Sequence, residues 1–184
     1  MARIAPITDQ HADPKARTLL QGVNKALGLT PNMMATMAHS PASLEAYLGF
    51  GQALGGGTLG GPLREQIALA VAGANTCEYC ASAHSALGAA QGLDRDELAR
   101  NLGGSSQDAR TEAVLGFART VVAKRGFVSD EDVSAVRAAG LGEGEIVEII
   151  ATVAINIFTN YFNHIAETEV DFPLVTLSEG VAVG

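Results

Sequence analysis

Apolar residues recur at three- and four-residue intervals along almost the whole chain, and this spacing predicts helices near 13–27, 31–38, 41–54, 62–73, 77–91, 94–101, 107–124, 130–139 and 143–168. In the fourth segment Leu63, Ile67, Ala70 and Val71 fall on one face. In the seventh the stripe is Val114, Phe117, Ala118, Val121 and Val122, and in the last it is Ile146, Ile149, Ile150, Val153 and Ile157. Punctuation supports the boundaries. Asp13-Pro14, Thr30-Pro31 and Ser40-Pro41 each set a capping side chain before a proline suited to the first helical position, and Ser129 caps the eighth segment. Gly28, Gly92 and Gly126 stand where helices should stop. No run alternates with the period of a strand, so the expected fold class is all-α. The expectation is a single domain over 1–184, with an N-terminal helical arm (1–60), a central pair of helices with its short successor (62–101) and C-terminal helices (107–168). No fixed-period repeat or flexible linker divides it.

Composition narrows this picture. Hydrophobic residues make up 47% of the 184 positions and tryptophan is absent, while alanine and glycine abound, which suits helices packed at close range. A formal charge of −8 with no basic run excludes a phosphate-binding surface for nucleic acid. The N-terminus "MARIAPITDQ" lacks the apolar core of a signal peptide. The most apolar stretch, Ile146 to Phe158, carries Glu148 and Asn156 and falls short of the roughly 20 residues of a membrane span. A soluble, cytoplasmic protein is expected, and in a reducing compartment a close cysteine pair points to redox or metal chemistry rather than a structural staple. Two other patterns carry no chemistry. Gly55, Gly57 and Gly60 satisfy GxGxxG, but no strand precedes them, and they read as a flexible turn. "SDEDV" lacks the glycine and bidentate glutamate of a calcium loop and reads as a helix start.

Both cysteines of the chain lie in "CEYCASAH", Cys77 to His84. On a helix Cys77, Cys80 and His84 share one face, three and four residues apart. Cys77 falls in the first turn, where the helix dipole favours a thiolate. His84 is one turn from Cys80 but about 10 Å along the axis from Cys77, so it can assist deprotonation of Cys80 more readily. A free thiol titrates near ~8.5 and only its thiolate attacks peroxide, and an imidazole near ~6.5 is a fitting proton acceptor. Cys77 would then capture the sulfenic acid formed on Cys80 as a disulfide. The imidazole needs an orienting acceptor, and a helical hairpin would bring Glu65 to it. The resulting order is Glu65, His84, Cys80, Cys77.

"REQIALAVAGANTCEYCASAH" resembles the core motif of the AhpD-like alkylhydroperoxidases of the carboxymuconolactone decarboxylase superfamily: a glutamate, eleven residues, CxxC, three residues, a histidine. The segments "LTPNMMATMAHSPASLEAY" and "NYFNHIAETEVDFP" extend the likeness to its peroxidase-related subgroup. The resemblance implies an all-α fold with a CxxC-bearing hairpin, assembly into trimers or hexamers, and peroxide reduction with no bound cofactor by Cys80, Cys77, His84 and Glu65. An external thiol or dithiol would be the reductant. One position departs from the pattern: the best-studied members have a second histidine immediately before the second cysteine, where this chain has Tyr79.

Other readings stand beside this one. Cys77, Cys80 and His84 could be two buried small residues and a surface histidine, or three zinc ligands completed by Glu65 or His164. A decarboxylase or lactone-processing enzyme would need no dithiol, and a non-catalytic redox sensor would not turn over. Asn160, Asn163 and His164 lie near one face of the last helix and are expected to serve structure or an interface. Met33, Met34 and Met37 are expected in the core or in a pliable pocket wall. The Ile/Val stripe of the last helix, continued round it by Phe158, Tyr161 and Phe162, leads to the expectation of a homo-oligomer, with a hexamer first.

Overall fold

A computed structural model describes residues 1–8 and 11–177. Among these residues there are nine α-helices and no strand: α1 (Pro14–Leu27), α2 (Asn32–Met37), α3 (Pro41–Gly55), α4 (Gly61–Ala74), α5 (Glu78–Ala90), α6 (Arg95–Leu102), α7 (Ala109–Ala123), α8 (Asp130–Ala138) and α9 (Glu143–Ala166). Asp13 and Ser40 cap α1 and α3 through their side chains. Ser129 and Asp132 close a reciprocal capping box on α8. Gly28 takes the left-handed conformation (φ 77°) that ends α1.

The expected Thr30 cap fails. Pro31 itself occupies the capping position and offers no side-chain acceptor. The exposed first amides of α2 are served from far along the chain, where Asp171 Oδ2 accepts from the Asn32 N–H at 2.7 Å. Asp171 belongs to a segment, 168–177, that lies over this end of the molecule. There Phe172 packs edge-on against Tyr79 and the Val175 N–H donates to Ser82 Oγ at 2.9 Å.

Helix α4 is the axis of the fold. The sequence pattern assigns it one apolar face, yet every residue from Gln66 to Ala74 is buried, because α5, α6, α7 and α9 all pack on it. Small side chains permit that enclosure. A β-carbon on Gly73 would stand 2.0 Å from the Leu102 carbonyl oxygen, so the end of α6 approaches α4 at a distance only glycine allows. One apolar cluster joins α4 to α7, α8 and α9 through Ile67, Val71, Leu115, Val136 and Ile149. A second joins the N-terminal helices to the cysteine helix through Ala16, Leu20, Met33, Met37, Leu44, Cys77 and Cys80.

Helix α9 has 24 residues and is long and apolar enough to cross a membrane by length and composition. Its Ile146–Ile149–Val153 face is instead buried in the helical core. Nor is the glycine-rich loop free. Thr58 and Leu59 donate their backbone N–H groups to the Glu148 carboxylate, and a β-carbon on Gly57 would collide with that carboxylate at 2.5 Å. The flexible turn expected from the sequence is therefore wrapped round an acidic side chain of α9.

Candidate active site

The turn between α4 and α5 is three residues long, and it sets the site. Thr76 adopts a left-handed backbone (φ 54°), which is costly for a β-branched residue. The Cys77 N–H returns to the Ala72 carbonyl at 2.9 Å. The hairpin this closes folds the start of α4 onto the middle of α5, and Glu65 meets His84. Glu65 Oε2 lies 2.7 Å from His84 Nδ1, and Gln91 donates to the other carboxylate oxygen at 3.3 Å. A carboxylate can only accept, so Nδ1 carries the proton and Nε2 is the ring nitrogen left for chemistry. Burial works against a charged His84, but the adjacent Glu65 carboxylate and its hydrogen bond outweigh it, and the imidazole is held above its ordinary pKa.

Cys77 and Cys80 are both reduced and buried. The two thiols differ sharply in acidity. Cys77 is the N-cap residue of α5, and its pKa is raised, because its thiol proton is engaged by Cys80 and burial opposes its charge. Cys80, inside the first turn, is the thiol pulled down, to about 6. The hydrogen bond from Cys77 is the largest cause. Burial resists it, while the positive His84 and the amides of Asn163 and Asn160 reinforce it. The amides of Tyr79 and Cys80 do favour a Cys77 thiolate, as the dipole argument expects, but the Cys80 side chain and burial outweigh them. A Cys80 thiolate and a His84 imidazolium can coexist near neutral pH.

Sulfur and ring face one cavity of about 90 Å³, and no direct hydrogen bond joins them. Its walls are mostly apolar, among them Leu29, Met33, Met34, Leu87 and Phe172. Tyr79, where the alkylhydroperoxidase pattern has histidine, is a wall and not a proton carrier: its hydroxyl accepts from the Met33 N–H at 3.1 Å, and burial raises its pKa. A second, more polar pocket lies on the other side of His84, with Arg64, Glu65 and Asn156 in its lining. Tyr47, His84 and Thr159 line both.

Glu65, Cys77, Cys80 and His84 are therefore brought together. His164 is exposed, and among the described residues no set of three side chains is placed to hold a metal ion. The sequence reading missed how Asn160 and Asn163 are used. Both are buried, and Asn163 Nδ2 donates to Cys80 Sγ at 3.2 Å. A signal was present: Asn156, Thr159, Asn160 and Asn163 form a polar stripe at helical spacing along the most apolar helix.

Glu65→Gln should raise the pH at which Cys80 becomes half-reactive toward iodoacetamide. Removing the carboxylate lowers the pKa of His84, and a neutral His84 no longer favours the Cys80 thiolate, so the acid limb of the rate profile moves upward by roughly 1 unit. An unchanged midpoint would take Glu65 out of the relay.

Among known proteins, the carboxymuconolactone decarboxylase family model matches residues 41–124, a span that contains the hairpin and all four of these residues. The fold is similar to that of an uncharacterised peroxidase-related protein with an alkylhydroperoxidase AhpD core from Ralstonia eutropha (26% identity, TM-score 0.81, 92% of each chain). It is also similar to a peroxidase-related protein from Silicibacter (22% identity, TM-score 0.79, 90% of this chain and 91% of that one). The debrominase Bmp8 in complex with 2,3,4-tribromopyrrole shares the fold too (22% identity, TM-score 0.78, 91% of each chain). No curated protein matches the chain.

Proposed function

From the family match over residues 41–124, the AhpD-like fold and the surroundings of Cys80, we propose that the chain is a thiol-dependent peroxidase of the AhpD-like, carboxymuconolactone decarboxylase superfamily. The observation that carries the reading is a cysteine held toward its thiolate by a second cysteine, in a cavity it shares with an imidazole charged by a carboxylate. The Cys80 thiolate attacks the terminal oxygen of a hydroperoxide ROOH. The O–O bond breaks, Cys80 becomes a sulfenic acid, and the departing alkoxide takes a proton from His84 to leave as ROH. Glu65 holds the ring and its charge through this step. The Cys77 thiol then attacks the sulfenic sulfur, releasing water and forming the Cys77–Cys80 disulfide. An external thiol or dithiol restores both thiols. In this reading the protein works in the cytoplasm, without a bound cofactor, as a homo-oligomer.

One equivalent of an alkyl hydroperoxide should consume both thiols of the reduced protein and lower its intact mass by two hydrogens. Two free thiols after treatment would overturn the reading.

The apolar cavity over Cys80 favours a second reading, reductive dehalogenation of a small aromatic ring. The dithiol supplies the two electrons: an aryl bromide and two thiols give the debrominated ring, hydrogen bromide and the disulfide. Bromide release from a bromopyrrole, with no peroxide consumption, would select it.

A further inference from the structure

We propose that Asn163 and Asn160 of α9 form an amide site that holds the reactive sulfur of Cys80 as a thiolate, with Met33 setting the direction of the Asn163 amide. The inference deepens the peroxidase reading and rests on it.

Asn163 is almost fully buried, and its Nδ2 lies 3.2 Å from Cys80 Sγ and 3.3 Å from Met33 Sδ. A thioether has no proton to give, so the amide edge that faces Met33 has to be the NH2 edge. The same edge faces Cys80. Met33 thereby excludes the flipped amide, whose oxygen would accept from the Cys80 S–H and stabilise the thiol instead. Asn160, wholly buried, is oriented from its other end. The turn residue Asn75 donates Nδ2 to Asn160 Oδ1 at 2.9 Å, which leaves Asn160 Nδ2 without a partner. A buried idle donor is expensive in a resting structure. Here it lies beside a sulfur that gains negative charge as its proton leaves for His84, and Asn160 favours that charged form. The hydroxyl of Thr159, 4.0 Å from Cys80 Sγ, donates to the Asn156 carbonyl, which leaves its oxygen as an acceptor for the Cys80 S–H.

No titrating group of α9 competes with this site. The titratable groups near Cys80 are Cys77, Tyr79 and His84 on its own helix, Tyr47 on α3, and Glu65 on α4 through His84. Asp171, close to Tyr79 on the overlying segment, is engaged by the Asn32 N–H. The amides therefore add a stabilisation of the thiolate that His84 alone does not supply, and one that persists above the pH at which His84 loses its charge.

The test is the rate of Cys80 alkylation by iodoacetamide against pH, with the modified residue located by peptide mass spectrometry. Loss of a hydrogen bond to a charged group corresponds to about 1–2 pH units. Asn163→Leu should move the midpoint up by that amount, and Asn163→Gln should recover part of the shift. Met33→Leu conserves volume and should fold even if Asn163→Leu does not. It frees the amide to turn and should raise the midpoint in the same direction by less. A midpoint within ~0.2 unit of wild type in folded Asn163→Leu, or in Met33→Leu if the former does not fold, overturns the proposal. Alkylation needs no peroxide, so the two readings fail separately. A shifted midpoint without hydroperoxide consumption defeats the peroxidase alone, and consumption without a shift defeats the amide site alone.

Discussion

Cys80→Ser is expected to abolish hydroperoxide turnover, whereas Cys77→Ser should consume one equivalent per chain and stop as a sulfenic acid that dimedone traps. The asymmetry follows from what each sulfur touches. Cys80 has the charged histidine and the Asn163 amide, and Cys77 keeps its proton and donates a hydrogen bond to Cys80. A serine at 77 still offers a hydroxyl to the Cys80 sulfur, so the thiolate survives while the resolving nucleophile is lost. Cys77→Ala removes the donor as well and should therefore oxidise more slowly than Cys77→Ser at mildly acidic pH. The sign is fixed: without the donor the Cys80 pKa rises, and less thiolate is present below it. Sulfenic acid in Cys80→Ser and none in Cys77→Ser would exchange the two roles.

The parts of this site that could be read from the sequence are those set by local rules. Helical spacing places Cys77, Cys80 and His84 on one face, and a tight turn between two helices makes Glu65 their neighbour. The same local logic finds the caps at Asp13, Ser40 and Ser129. It fails where partners are distant. The cap of α2 comes from Asp171, and nothing near Thr30 announces it. Cys80 and Cys77 differ in acidity because one thiol donates to the other, and because α9 contributes two amides 80 and 83 residues along the chain from Cys80, none of which is encoded in a CxxC spacing. The segment holding Phe172 and Val175 has no periodicity at all, yet it covers Tyr79 and walls the cavity.

Replacing Ile150 and Tyr161 together with glutamate should convert an oligomer into monomers without unfolding the chain. Val147, Ile150, Phe158, Tyr161 and Ile165 are all exposed on α9, and with Ala154 they recur at three- and four-residue steps. The eighteen steps from Val147 to Ile165, at ~1.5 Å each, make a seam of about 27 Å with no ionisable group among its exposed apolar members other than the phenol of Tyr161. The charge of −8 makes copies of this chain repel one another, which favours contact along a neutral surface such as this. The ridge is flanked by two apolar grooves, one lined by Val121, Val122 and Ile157, the other by Ala46, Phe50 and Ala154. A ridge beside its own grooves can dock head-to-tail on a second copy, ridge into groove, and such a repeated contact can close into a ring. Tyr47 lines both the second groove and the cavity of Cys80, so a subunit seated there would also close the site against stray thiols. An unpaired charge buried at such a contact costs roughly 3 kcal/mol or more, over a hundredfold in dissociation constant. Both positions are exposed on the single chain, so the same charges cost its own fold little. Multi-angle light scattering at micromolar concentration should give an oligomer for the wild type, a hexamer in the leading case, and the mass of one chain for the double variant. A monomeric wild type would refute the assembly, and an unaltered oligomer in the variant would move the interface to another face.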